Sequence, residues 1–396
     1  MDVELHGFSL WNISGRTTGA QPDGLDTGDF ILGEGRFRLD LSAWAEEVEA
    51  AARVKADLLH DAVVGESALE LREAYIDYTN GDYDFRLGRQ IATWGVGDLL
   101  FINDVFPKDW ESFFGGRPLE YLKLPVDAAR ISYFAAGINA DLLIAPFFEP
   151  DNLPTGRRFI FDEPFREVPS RVDQRPRSTY ENTELALRLH GKLSGFDVAA
   201  YAYRGFWRSP AMRPDNFETP AEVTAYYPRL SVYGLSAQGN ALDGILSFET
   251  GYYDSREDRD GSDPVVQNSQ MRFLLGYQRQ IAPELNLGLQ YYGELMQDHS
   301  SYLASLPQGF PQQSRYRDTI ALRLERYSSH QALKQTLFAF FSPADHDYLA
   351  QPQVSYKFAD NLTGTLGASI FGGKRPTFFG QFGRNDNVFL SVRFDF

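Results

Sequence analysis

The sequence predicts an all-β fold: a closed antiparallel transmembrane β-barrel of about 18 strands (roughly 16–18), with short periplasmic turns and long extracellular loops. Three observations predict it. Apolar and polar residues alternate with period two along most of the chain, long and short connections alternate between those segments, and the chain stops on Phe396 at the end of an alternating row.

The alternation gives the strands. Val48, Ala50, Ala52, Val54, Ala56 and Leu58 alternate with Glu49, Arg53, Lys55 and Asp57. Leu185, Leu187 and Leu189 alternate with Glu184, Arg188 and His190. Leu285, Leu287, Leu289 and Tyr291 alternate with Asn286, Gln290 and Tyr292, and Leu362, Leu366 and Ile370 share a row opposite Thr363, Thr365 and Ser369. Between such segments, short turns fall near 45–47, 80–82, 137–139, 194–196, 241–244, 282–284, 328–331 and 359–361. Longer polar loops fall near 17–34, 60–67, 97–127, 149–182, 207–228, 254–268, 298–315, 342–347 and 372–386. Nine long and eight short connections join 18 strands, which puts both ends of the chain on the short-turn side. Periplasmic turns and extracellular loops alternate in this way, whereas a soluble sandwich or propeller has no reason to. The last row, Val388, Leu390, Val392, Phe394 and Phe396, ends in an aromatic that reads as the signal recognised by the outer-membrane assembly machinery.

Composition agrees. The chain of 396 residues has 43% hydrophobic and 14% aromatic residues, enough to bury a core, so a disordered chain is excluded. Its net charge of −16 argues against nucleic acid as a partner. The absence of Cys removes disulfides, thiolate metal sites and covalent c-type haem. No stretch is apolar for the roughly 18 residues a membrane helix needs. A barrel wall shows lipid only every second residue, so low average hydropathy is expected. Aromatic pairs at strand ends, Tyr226-Tyr227, Tyr252-Tyr253, Tyr291-Tyr292 and Phe340-Phe341, are expected at the two membrane interfaces. Met1-Asp2-Val3-Glu4 has neither the basic nor the apolar part of a secretion signal, so the expectation is the mature chain of an exported protein in a bacterial outer membrane. One barrel domain, 1–396, is expected, in contact with outer-membrane lipid and lipopolysaccharide.

The polar rows put charges of both signs in the predicted lumen. Arg36, Arg38, Arg53, Lys55, Arg188 and Arg323 face inward, with Glu249 and Glu294 among the acids. They read either as a field across a channel or as a wall of structural ion pairs. The loop 149–182 holds Arg157, Arg158, Arg166, Arg171, Arg175 and Arg177, together with five prolines and three phenylalanines. A long Pro-rich loop of this kind is expected to be ordered. Folded inward, its guanidinium groups would form a constriction favouring anions. Lying outside, they would pair with the loop's own acids or with lipopolysaccharide. The loop 97–127, with Phe101, Phe106, Trp110, Phe113 and Phe114, is the rival plug.

Catalysis has little support. Asp298-His299-Ser300 are neighbours in one loop and cannot take up triad geometry by adjacency. Asp258, Asp260 and Gly261 match a calcium loop, but the pattern fails at Arg256 and Gln267, leaving room for a weak loop-bound divalent ion and no assigned metal ligands. No cofactor is expected.

Gly88-Arg89-Gln90 and Trp94-Gly95, then Leu124-Pro125-Val126 and the run Ile144 to Pro154, resemble a segment of an uncharacterised family of Gram-negative outer-membrane β-barrels, a domain of unknown function. The similarity covers roughly 83–156 and implies a channel-like outer-membrane protein of undefined substrate. The strand count is more distantly similar to the alginate-export barrels. The reading is a porin for passive diffusion of small hydrophilic, anionic solutes. Two alternatives stay open: an exporter of an anionic polymer with a periplasmic partner, and a barrel sheath around a cytochrome electron conduit. A homo-oligomer is a third open partner state.

Overall fold

The computed structural model describes residues 2–18, 29–135, 137–161, 165, 167–375 and 377–396. Eighteen of its strands form one sheet. In chain order they begin with β1 (Asp2–Arg16), β2 (Phe30–Ala45), β3 (Ala50–Asp61), β4 (Glu66–Asn80), β5 (Tyr83–Gln90), β6 (Val126–Phe134) and β7 (Ile138–Ala145). A short strand outside the wall, β8 (Ser170–Gln174), comes next, followed by β9 (Glu184–Leu193) and β10 (Phe196–Phe206). Two more short strands, β11 (Ala211–Pro214) and β12 (Glu222–Tyr226), join β8 in a separate sheet outside the wall. The wall continues with β13 (Arg229–Ala241), β14 (Gly244–Ser255), β15 (Gln270–Ala282), β16 (Leu285–Met296) and β17 (Tyr316–Ser328). It ends with β18 (Leu333–Ser342), β19 (Asp347–Ala359), β20 (Leu362–Gly372) and β21 (Asn387–Asp395).

Every wall strand pairs antiparallel with the next, and β21 returns to β1. Closure leaves no edge, so the backbone groups of the wall are satisfied within the protein, as a lipid surround requires. The seam runs from Phe8 opposite Asp395 to Arg16 opposite Asn387. Phe396 extends it: its N–H donates to Gly7 O and Gly7 N–H donates back to Phe396 O, both at 3.0 Å. The Phe396 ring stacks on Phe37 at 5.5 Å. Gly7 has no side chain because a Cβ there would run into that ring.

The two faces follow the sequence alternation. Leu185, Leu187 and Leu189 are exposed on the outside, while Glu184 and Ala186 are buried inside. The aromatic pairs need a correction. Consecutive residues on a strand point to opposite faces, so Tyr252 and Phe341 lie outside whereas Tyr253 and Phe340 are buried inside. Only one ring of each pair can serve the membrane interface. Tyr226-Tyr227 is not on the wall at all, since Tyr226 ends β12.

A bulge in β4 shifts the register against β3 between Lys55 and Ala56. Leu69 and Leu71 face out before it, Ile76 and Tyr78 after it. Arg72 and Glu73 are therefore both buried inside, successive residues sent the same way by the extra position.

Candidate functional site

The connection between β5 and β6, 91–125, enters the barrel. Its hydrogen-bond partners lie on strands from opposite sides of the wall, which only a position inside the lumen allows. Asn12 Nδ2 donates to Gly116 O at 3.2 Å, Gln351 Nε2 to Phe113 O at 3.1 Å, and Arg208 Nε to Val105 O at 2.9 Å. Asp98 N–H donates to Gln290 Oε1 at 3.1 Å, and Arg323 Nη1 to Asp98 Oδ2 at 2.8 Å.

Two anchors hold this loop. The first is Glu249 on β14, almost fully buried. Its carboxylate accepts from the N–H groups of Val96 (2.8 Å), Gly97 (3.1 Å) and Asn103 (2.7 Å), and from Asn103 Nδ2 at 3.0 Å. Four donors satisfy a buried negative charge that would otherwise be expensive. Gly95 makes the approach feasible: its φ is +81°, and a Cβ would lie 2.6 Å from Glu249 Oε1. The second anchor is Tyr121, in a short 3-10 turn at Leu119–Tyr121. Arg36, Arg38 and Arg72 lie over its ring at 4.3, 5.1 and 5.2 Å. Glu34 and Asp57 neutralise Arg36, both at 2.8 Å, and Asp57 and Glu120 meet Arg38 at 2.5 Å. Arg72, held by the carbonyls of Glu120 (3.2 Å) and Lys123 (2.8 Å), escaped the sequence reading. The signal was there: the apolar row jumps by three from Leu71 to Ala74 where a regular strand steps by two.

Inside the loop, α1 (Trp110–Gly115) is one short helix. Asp109 caps its start by accepting from Ser112 N–H at 2.7 Å, and Gly116 ends it with a φ of +87°. Its aromatic residues pack with Phe340, Phe371, Phe378 and Phe382. The segment after β7 clamps it from outside. Asp151 accepts from Lys108 N–H at 2.8 Å and Trp110 Nε1 at 3.2 Å, and Asn152 Nδ2 donates to Asp109 Oδ1 at 3.0 Å. Burial raises the Asp151 and Glu111 carboxyls above their ordinary values and lowers the Lys108 ammonium. Trp94, Gly95, Asp151 and Asn152 belong to the segments that carried the family resemblance, and here they build the inserted loop and its clamp.

The other sequence-predicted lumen charges are paired on the wall. Arg53 binds Asp40 at 2.6 Å, Lys55 binds Glu73 at 2.5 Å, and Arg188 binds Asp141 at 2.6 Å. Glu294 sits between Arg272 (3.4 Å) and Arg317 (3.9 Å). The described arginines of the loop 149–182 do not come together. Arg158 is buried, with Asp61 at 2.6 Å and Glu111 at 2.8 Å, and fixes that loop to the inserted one. Arg157 is exposed and pairs with Glu66 at 2.6 Å. Arg171, on β8, donates to Phe165 O at 2.6 Å; Arg175 pairs with Asp173 at 2.9 Å; both are exposed, as is Arg177. Arg166 lies outside the described residues.

Next to the inserted loop lies a cavity of about 540 Å³. Its lining includes the aromatics Phe101, Trp110, Phe113 and Phe378 and the charges Arg272, Glu294 and Arg317. At the end of the barrel carrying the short turns, a second space of about 720 Å³ is lined by Asn240, Gln278, Asn286, Arg323 and Glu325.

No protein-family model and no curated protein matches the chain. Solved structures match it in fold. OccD3 (OpdP) of Pseudomonas aeruginosa is 11% identical with a TM-score of 0.61, the match covering 100% of this chain and 91% of that one. OccK2 (OpdF) of the same organism, solved in complex with glucuronate, is 10% identical with a TM-score of 0.60, covering 100% and 98%. OccK11 (OpdR) is 9% identical with a TM-score of 0.56, covering 100% and 96%. Identities this low show a shared fold. The chain is a closed 18-stranded antiparallel barrel of the outer-membrane porin type.

Proposed function

We propose that the protein is a non-enzymatic outer-membrane channel for passive diffusion of small hydrophilic solutes, with 91–125 as its constriction. The observation that carries this is the inserted loop: polar donors and ion pairs fix it across the lumen, and open space of about 540 Å³ remains beside it. A fixed narrowing in a wide polar barrel limits solutes by size and by local field. The sign of that field is the finer question. The arginines of 149–182 and the glucuronate held by OccK2 favour anions. The cavity itself favours cations: among the described lining residues, the six carboxylates of Asp104, Asp151, Glu294, Asp318, Asp345 and Asp347 stand against Lys108, Arg208, Arg272 and Arg317. Permeation responds to the local field, so the lining decides.

An exporter of an anionic polymer needs a continuous basic track, whereas Arg36, Arg38, Arg53, Arg188 and Arg323 are spent on carboxylates and Arg72 on backbone carbonyls. A cytochrome sheath needs an open lumen, and the loop fills part of it. The test is a planar-bilayer recording in a salt gradient. The channel reading expects unitary conductance steps and a reversal potential on the cation side, shrinking at high salt. Anion selectivity would transfer the field to the arginine loop, and absence of conductance from the folded protein would end the channel reading.

A further inference from the structure

The connection between β14 and β15, 256–269, carries acids that neither the wall nor the cavity uses. Asp258, Asp260 and Ser262 converge there. Ser262 N–H donates to Asp258 Oδ1 at 2.9 Å, and Ser262 Oγ donates to Asp260 Oδ1 at 3.1 Å. Gly261, with a φ of +66°, turns the chain between them.

The observation that points to a ligand is the Asp258 side chain. The residue is 3% exposed, and its Oδ2 has no hydrogen-bond partner. Ser262 brings the Asp260 carboxyl alongside it, its N–H on Asp258 and its hydroxyl on Asp260. Two carboxylates in contact cannot both ionise without a positive charge between them. The nearby arginines are engaged elsewhere. Arg259 donates to both oxygens of Asp254 at 2.8 Å, Arg213 pairs with Asp263, and Arg256 donates to Gly205 O at 3.1 Å. The missing charge is therefore a proton or a cation. Hard oxygen donors of this kind suit calcium.

We propose that Asp258, Asp260 and Ser262 form a calcium site on the extracellular rim. Among the described residues no group of three or more His, Asp or Glu converges. The protein thus supplies two carboxylates and a hydroxyl, and water or main-chain carbonyls complete the shell. Low ligand charge puts the affinity in the weak extracellular range, with a Kd of about 10⁻⁴–10⁻³ M. The bound ion would stiffen a loop that meets both the next connection and the cavity: Asn268 Nδ2 donates to Gln297 O at 3.0 Å, and Gln267 lines the 540 Å³ space.

The test is calorimetric titration of the full chain, refolded in non-ionic detergent, with calcium chloride to about 10 mM. The parent should bind one ion. Asp258→Asn and Asp260→Asn should each weaken binding at least tenfold, while Asp254→Asn, whose carboxylate serves Arg259, should not. Heat-modifiable gel migration verifies that each variant is folded. Calcium should also slow tryptic cleavage after Arg259 in the parent and not in Asp258→Asn. Absence of saturable binding in the parent, or equal binding in all four proteins, overturns the proposal.

Discussion

Gly95 and Glu249 depend on one another across the lumen. The positive φ of Gly95 brings the N–H groups of Val96 and Gly97 onto the carboxylate, and the carboxylate occupies the space a side chain at 95 would need. Gly95→Ala should cost about 1–3 kcal/mol through backbone strain. Glu249→Gln should cost a similar amount, about 1–3 kcal/mol, because an amide nitrogen then faces main-chain donors and leaves them unpaired. Both variants should raise open-channel current noise in planar bilayers, since the loop loses its attachment while the wall stays closed. Noise and mean conductance equal to the parent would show that Glu249 does not hold the constriction. The wall tests the two faces separately. Leu187→Arg places a charge in lipid and should cost about 2–4 kcal/mol near the midplane. Gln238→Arg, on the lumen face of β13, should be mild. Refolding into vesicles under urea compares them, and equal penalties would mean that the faces are misassigned.

At the scale of elements, β21 closes the sheet and Phe396 extends its ladder. Deleting Phe396 removes the hydrogen-bonded pair with Gly7 and the stacking on Phe37, a local loss at one end of a long ladder. Refolding yield in vitro should therefore fall slightly. The outer-membrane level in cells should fall much further if the terminal aromatic is read by the assembly machinery. Equal levels for the deletion and the parent would reject that role. The bulge in β4 teaches a related lesson. One extra residue turns Arg72 toward Tyr121 and lets three arginines share a ring, so an irregularity in the strand serves the loop inside.

For the whole molecule, the wall and its contents are separable. Each wall strand pairs with its chain neighbours or across the seam, and none of this pairing passes through 91–125. Replacing 97–122 by a short Gly–Ser bridge should therefore leave a heat-modifiable, folded barrel. Its melting temperature should fall, because Tyr201, Leu230, Val232 and Leu274 lose their cover. Its conductance should rise severalfold and its ion selectivity should weaken. A trimmed protein that fails to fold would show that the loop is part of the wall's own stability; one that folds with unchanged conductance would move the constriction elsewhere.

The barrel was legible in the sequence because its cause is local. A strand between lipid and water must alternate, and turns on one side must be short, so strand number and facing follow from residues read two at a time. The charges on the inner rows were legible for the same reason: Arg36, Arg38, Arg53, Lys55, Arg188 and Arg323 are where the alternation puts them. Arg53, Lys55 and Arg188 pair across the wall, but the loop partners of Arg36, Arg38 and Arg323 were not legible, because Asp98, Glu120 and Tyr121 reach them from a loop whose path inside the barrel no periodicity encodes. A count of arginines likewise drew attention to 149–182, yet whether a guanidinium lines a passage depends on what it meets in space. Arg158 meets Asp61 and Glu111; Arg157 meets Glu66 at the surface. The sequence by itself determined the wall, whose energetics are set by immediate neighbours and by the solvent on each face. Only the tertiary structure decided what fills the lumen, because that rests on contacts between residues more than a hundred positions apart, such as Glu249 with Asn103 and Arg323 with Asp98.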